Sequence, residues 1–272
     1  MEPGQRLDDK AKGIFRAAVT IARNAGSRED AIGKSWAATL GLPYVERSHN
    51  SSMERLLADN QLDALLVVTS RGPEIFSPEG RFAYHPSMAV LRLQQLKRGG
   101  SDHLIEALGI AEGSRVFDGT LGLAADAAMA SFIVGEKGRV IGTEAAPLLA
   151  FAVRYGLAHY EAEDADLTAA LRRITAVGMT AAEYLRGCGA DAFDVCYFDP
   201  MFRHPVNGSK NMESLRPLSY EVPLDEETIK LALKAAPKVV IKERGEYSLR
   251  RFGCTEFVGG KYSRIKFGII RR

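Results

Sequence analysis

Cysteine is scarce, with only Cys188, Cys196 and Cys254 in 272 residues. The number is odd and no two cysteines form a C-x-x-C pair. Neither a disulfide framework nor a zinc site is therefore expected, and the thiols suit a reducing compartment. No run of about 18 or more apolar residues occurs, so no membrane-spanning helix is expected. The opening "MEPGQRLDDKAKG" lacks the apolar segment of a secretory leader, which makes the cytoplasm the expected location. Net charge is also lacking: 36 Lys and Arg face 34 Asp and Glu, so this is not a polybasic protein that coats nucleic acid. There is no internal repeat and no low-complexity tract.

What is present is enough chain for a small lobe plus a larger α/β domain. Residues 1–13 read as a mobile leader. In 14–86, "IFRAAVTIA" reads as a strand or the start of a helix. "SREDAIGKSWAATLG" reads as a helix capped by Ser27 and closed by Gly41, and "LPYVER" as a short strand. "SSMERLLADN" is a helix capped by Ser51 or Ser52, "LDALLVVTS" a buried strand, and "GPEIFSPEGRFAYH" a hairpin. Together they make a small N-terminal α/β lobe. The main domain is 87–272. "SMAVLRLQQLKRGG" links it to the lobe, and "SDHLIEALGI" is its capped first helix. The strands "RVFDGT", "RVIGTE", "RITAVG", "FDVCYFD" and "KVVIKE" then alternate with helices, and "TEFVGG" and "RIKFGIIR" close the chain as a strand pair. Such alternation implies a doubly wound, mostly parallel sheet, here of seven strands, with an antiparallel pair at its end.

Open α/β sheets bind ligands beyond the carboxyl ends of their strands. Three strand ends carry suggestive residues. In "VFDGTLGLAADA", Asp118 ends an apolar strand, and Gly119 and Gly122, with Thr120 between them, permit a sharp turn and close approach of a ligand. Asp126, early in the next helix, suits the helix dipole or a ligand contact. A purely structural turn is the competing reading. In "RVIGTEAAP", Glu144 ends the next strand, 22 residues beyond Gly122 and 25 beyond Gly119, where an acid can accept from ribose hydroxyls. Ala124 or Ala125 stands where a third glycine would complete a dinucleotide fingerprint, so a smaller nucleoside cofactor is expected. In "DVCYFDPMFRH", Pro200 has no N–H to continue a central strand. Its carbonyl and the Asp199 carboxylate can accept from an amino group, and Phe202 offers a face for a flat base. The competing reading is a strand-ending turn with a core phenylalanine.

Around these lie weaker candidates. His85 and His204 flank the pocket segments. Lys242 and Arg244 end "VVIKER" at the same sheet edge, where phosphate contact is expected. From Tyr247 to Arg272 seven basic residues face one acid, Glu256. That patch is either a solvated face or an attraction for phosphates.

The segments "FDGTLGLAADA", "GTEAAP" and "FDPMFRH", in this order, resemble class I S-adenosylmethionine-dependent methyltransferases. The resemblance is closest to the family containing the bacterial small-subunit rRNA guanine-N2 methyltransferase and its Gram-positive relatives. It spans about residues 62–270, with "DPMF" its most specific element and "FAYHPSMAVLRLQQLKRGG" and "VVIKER" looser matches. "VTIARNAGSREDAIGKSWAATLGLPYVER" is more similar to the Gram-positive relatives. The resemblance implies a Rossmann-like methyltransferase sheet and S-adenosylmethionine as cofactor. It carries cofactor contact to Ala125 and Asp126, ribose binding to Glu144 and Ala145, and adenine contact to Gly178 between Val177 and Met179. Asp199, with Pro200 and Phe202, falls on the motif that meets both cofactor and target. His204, Lys242 and Arg244 would meet the substrate. The reaction implied is methylation of an exocyclic base amine, guanine N2, in rRNA, with no metal and no membrane. The alternatives are a small-molecule or protein methyltransferase, or a non-catalytic cofactor- or RNA-binding protein.

Overall fold

A computed structural model describes residues 15–48, 50–86, 88–200, 223–260 and 263–272, which divide into two units between Tyr84 and His85. Phe202 and His204 lie outside the described residues.

The first unit contains β1 (Ala17–Ile21), α1 (Ser27–Leu40), α2 (Met53–Asn60), β2 (Ala64–Thr69), β3 (Gly72–Ser77) and β4 (Gly80–Ala83). The strands form one sheet in the order β1-β2-β3-β4, parallel at β1–β2 and antiparallel thereafter. Ala18, Leu65, Val67 and Phe76 pack with Met53, Leu56 and Leu57 of α2. Ser52 caps α2 by accepting from the Arg55 amide at 3.2 Å. The expected cap at Ser27 is corrected to Gly26. Glu29, three residues inside the helix, reaches back to accept from the Gly26 amide at 2.9 Å, leaving Ser27 in the first turn. "LPYVER" is likewise not a strand. It makes one bridge, Tyr44 to Val19, beside Pro43, which has no N–H to give a ladder.

The second unit begins with α3 (Ala89–Lys97) and α4 (His103–Leu108). It continues through β5 (Arg115–Asp118), α5 (Ala125–Val134), β6 (Arg139–Thr143), α6 (Pro147–His159), α7 (Ala165–Arg172), β7 (Ile174–Val177), α8 (Ala181–Arg186) and β8 (Val195–Phe198). After α9 (Glu226–Ala235) come β9 (Lys238–Arg244), α10 (Glu246–Arg251), β10 (Glu256–Val258) and β11 (Ile265–Arg271). The expected linker at 87–100 is instead a helix with Ala89 and Leu93 fully buried, and α10 was not anticipated. The seven strands order as β10-β11-β9-β8-β5-β6-β7. β11 alone runs against the others, pairing antiparallel with both β9 and β10.

Strand alternation sorts side chains to two faces. Phe117, Cys196, Phe198, Val239 and Ile241 point to one face, packing with Leu185 of α8, Ile229 and Ala232 of α9 and Leu249 of α10. Their neighbours Asp118, Tyr197 and Lys242 therefore point to the opposite face, the side of α5. The sheet's direction of winding reverses between β5 and β8, which opens a crevice at their carboxyl ends. Among the described residues no helix is long and apolar enough to cross a membrane.

Candidate active site

The turn after β5 is tied to both neighbouring strands. Gly119 N donates to Tyr197 O at 2.8 Å, and Leu121 N donates to Thr143 O at 2.9 Å. The Thr120 hydroxyl accepts from the Asp199 amide at 2.6 Å, joining the ends of β5 and β8. Gly119 is needed for packing: a Cβ there would lie 2.2 Å from Cε1 of Phe198. Gly119→Ala should therefore destabilise the protein by about 1–3 kcal/mol in denaturant unfolding. Unchanged stability would show that Phe198 can move aside.

The backbone turns left-handed at Gly122 (φ 49°) and again at Ala124 (φ 59°) before α5 starts. Ala124 thus adopts the conformation of the missing third glycine, at a cost of roughly 1–2 kcal/mol for an L-residue. The glycine pattern was incomplete in sequence, yet the turn it encodes is present.

Glu144 accepts from Gly122 N at 3.1 Å and from Ala146 N at 2.9 Å. Burial pushes its carboxyl above the usual range, and these amides pull against that shift. It sits beside Ala145, which with Gly178, Met179, Thr180 and Glu183 lines a cavity of about 550 Å³. Thr180 and Glu183, which sequence reasoning did not single out, are the polar groups of this lining. They are joined to each other by a 2.7 Å hydrogen bond in a capping box at α8. The signal was legible as Thr-x-x-Glu ahead of a helix.

Across the crevice three aspartates converge. Asp118 is buried and accepts from Thr120 N at 3.0 Å. Burial raises it to about 8, with Asp126 and Asp199 adding to the shift, so it is protonated at neutral pH. Asp126 accepts from Arg92, from the Tyr197 hydroxyl at 2.7 Å and from Lys242 at 3.1 Å. Burial opposes its ionisation, but Lys242 and Arg92 outweigh that and hold it below its ordinary value. Asp199 accepts from Lys242 at 2.7 Å. Here burial outweighs the lysine, and its carboxyl stands at about 6. Lys242 itself is raised to about 12, because the two aspartates outweigh its burial.

The structure brings Asp118, Gly119, Thr120, Gly122, Asp126, Glu144, Ala145, Pro200 and Asp199 to one sheet edge, with Ala125 in the first turn of α5 and Gly178 at the cavity. One expectation changes. Lys242 was expected to meet phosphate, but its ammonium is enclosed by Asp126 and Asp199 and its charge is balanced there. The C-terminal basic patch is partly paired. Arg271 pairs with Glu256, Arg272 with Asp191 and Arg250 with Glu246, while Lys266 donates to the carbonyls of Gly259 and Gly260. Of these acids only Asp191 is distant in sequence, and Arg251 and Arg264 stay exposed. Arg244 is half-buried, its amide donating to Glu243 at 2.6 Å. Arg92 and Tyr197 were missed. Arg92 lies three residues after buried Ala89 on α3, so helical periodicity places it on the inner face.

The sequence of residues 82–250 matches the family described as "Putative SAM-dependent methyltransferase". This chain belongs to that family of S-adenosylmethionine-dependent methyltransferases. The methyltransferase is 36% identical to "Uncharacterized protein YpiP" of Bacillus subtilis, over 74% of this chain and 78% of that protein. It is 29% identical to "Ribosomal RNA small subunit methyltransferase J" of Pseudomonas paraeruginosa, over 68% of this chain and 69% of that one. Its fold matches the crystal structure of a SAM-dependent methyltransferase from Neisseria gonorrhoeae with a TM-score of 0.60, at 16% identity and covering 93% and 95% of the two chains. The cofactor of the methyltransferase is S-adenosylmethionine, and the residues present fit it. Glu144 offers acceptors for ribose hydroxyls. The adjoining cavity has the small Ala145 and Gly178 and the thioether of Met179 to take a flat base. At neutral pH the ionised Asp102, Asp126 and Asp199 exceed Arg92 and Lys242 by one negative charge, which suits a sulfonium cation.

Proposed function

We propose that this methyltransferase acts on RNA in the cytoplasm and methylates an exocyclic amino group of a base, guanine N2, in small-subunit rRNA. The observation that carries the reading is the position of Asp199 and Pro200. They leave β8 at the crevice where the winding reverses, across from Glu144, with the Asp199 amide fixed to Thr120. The relatives named for small-subunit ribosomal RNA support the choice of target.

S-adenosylmethionine, when bound, supplies an electrophilic methyl group on its sulfonium. The remaining work belongs to the protein. The lone pair of an aryl amine is delocalised into its ring. A hydrogen bond from the amine to the Asp199 carboxylate, and a second to the Pro200 carbonyl, would favour a pyramidal nitrogen whose lone pair is aimed at the methyl carbon. Asp199 must be ionised to accept, and it then lies beside the proton the amine releases. Glu144 orients the cofactor through its ribose. Phe202 is assigned to stacking on the base, a contact that contributes about 1–3 kcal/mol in comparable proteins. A base in a loop or single strand reaches such a site without the unpairing cost of a duplex.

The test compares nucleosides from small-subunit rRNA of wild-type and gene-deleted cells by mass spectrometry. The expected result is loss of one N2-methylguanosine, restored when purified protein and S-adenosylmethionine are added to RNA from the deleted strain. Identical nucleoside profiles would remove rRNA as the target and leave a small molecule or protein in its place.

A further inference from the structure

Asp199 is one end of a chain of charges. Lys242 bridges its Oδ2 at 2.7 Å to Oδ2 of Asp126 at 3.1 Å. The Tyr197 hydroxyl donates to that same Asp126 oxygen at 2.7 Å, and Arg92 takes the other. Arg92 in turn is held by both oxygens of Asp102, at 2.7 and 3.0 Å, and Asp102 caps α4. The members come from α3, the cap of α4, α5, β8 and β9. Each is fixed by regular secondary structure or, for Asp102 and Asp199, by backbone hydrogen bonds at its end. The side chains of Lys242 and Asp126 are only 22% and 17% exposed, so this is not a solvated surface pair. A lysine ammonium is a compact charge with three rotatable donors, suited to standing between two carboxylates and not to gripping one in a planar fork.

We propose that Lys242 is a positioning residue for methyl transfer: its ammonium, anchored through Asp126 on Arg92 and Tyr197, keeps the Asp199 carboxylate charged and in place at the crevice. The proposal rests on the assignment of Asp199 to the target amine. It gives Lys242 no contact with phosphate and no contact with the reacting atoms. The lysine acts through Asp199.

The charges facing Asp199 predict a signature. Lys242 and Glu243 approach from β9, Asp126 from α5, Asp118 from β5 and the Tyr197 phenol from β8. Burial is the largest influence on Asp199 and raises it. Lys242 lowers it, and Asp126 and Glu243 raise it. Removing the lysine charge removes the downward influence, so Asp199 should keep its proton to higher pH. Removing the Asp126 charge removes an upward influence, so Asp199 should lose its proton at lower pH. Lys242→Met and Asp126→Asn therefore move the same group in opposite directions, which a general loosening of the site would not do.

The experiment is a carbon-13 NMR titration of the full chain labelled at the aspartate carboxyl carbons, with Asp199→Asn and Asp118→Asn used to assign the two resonances. It needs neither cofactor nor RNA. The expected midpoint for Asp199 in the wild type is about 6. In Lys242→Met it should rise by about 1–3 pH units, the usual effect of one close opposite charge. In Asp126→Asn it should fall, and in Lys242→Arg it should stay near wild type. A midpoint unmoved in Lys242→Met, or displaced the same way in both variants, overturns the proposal. If Lys242→Met does not fold, an unmoved or raised midpoint in Asp126→Asn overturns it. Turnover on RNA from the deleted strain supplies a second reading. Lys242→Met should lose on the order of a hundredfold in kcat, as misplaced catalytic groups do. Its KM for S-adenosylmethionine should stay within about twofold, and Lys242→Arg should recover part of the loss. If Asp199→Asn turns over normally, the assignment of Asp199 to the amine fails and takes the proposal with it. If Asp199→Asn is inactive while Lys242→Met keeps wild-type turnover and midpoint, the positioning role alone fails.

Discussion

Asp199→Asn is expected to lower kcat by about 10²–10³-fold, the usual loss when a preorganised polar group is removed from a reacting centre. Affinity for S-adenosylmethionine should fall much less. An asparagine keeps the shape but loses the charge that accepts from the amine and lies beside its departing proton. The fold should tolerate the change. Lys242 retains Asp126 as an ion-pair partner at 3.1 Å, and the Asp199 backbone amide still donates to Thr120. Loss of a carboxylate that burial already pushes up to about 6 also removes a desolvated charge at neutral pH. Wild-type kcat should follow the same group: Asp199 must be ionised, so activity should fall as pH drops through about 6. A mutant with near wild-type turnover on the true substrate, or a wild-type profile with no acid limb in that region, would remove Asp199 from the reaction.

Glu144→Ala should reduce S-adenosylmethionine affinity by at least about a hundredfold. It removes the two ribose hydrogen bonds proposed for this carboxylate, and bonds to a charged acceptor contribute about 1.5–3 kcal/mol each. Beyond those bonds, the structure adds a cost. The same carboxylate accepts from the amides of Gly122 and Ala146, so alanine leaves two backbone donors without that acceptor. Thermal stability should therefore fall as well, and the turn at Gly122 should loosen. Glu144→Gln separates the two effects. Its side-chain carbonyl can satisfy one of the amides, while the charge and one acceptor are lost. Calorimetry showing unchanged affinity in the folded alanine variant would place the ribose elsewhere.

In the main domain the order of the strands was legible along the chain, whereas the helices at Ala89–Lys97 and Glu246–Arg251 were not. Apolar strands ending at Asp118, Glu144 and Asp199 could be read directly, because a buried parallel strand needs a continuous apolar run and its end is where polarity resumes. The same reasoning placed Gly119 and Gly122 in a turn. It failed at Ser27, where the helix begins one residue earlier with Glu29 accepting from the Gly26 amide, and at Ala124, where the tertiary fold imposes a left-handed turn on a residue that does not prefer it. Local patterns also mistook the helix at Ala89–Lys97 for a linker.

The partners of the site's charges come from packing between elements far apart in the chain. Lys242 lies 116 residues from Asp126 and 43 from Asp199, separations across which no local pattern reaches. Seen in sequence, it was a lysine at a strand end and suited a phosphate. The pairing of β8 with β9 and the face to which alternate residues turn put its ammonium between two half-buried carboxylates instead. The basic C-terminus shows the same limit, since Asp191 reaches Arg272 across 81 residues. Chemistry along the chain fixes which groups exist and which strand ends carry them. Coulomb attraction and desolvation depend on distance and burial, and only the packed sheet sets those.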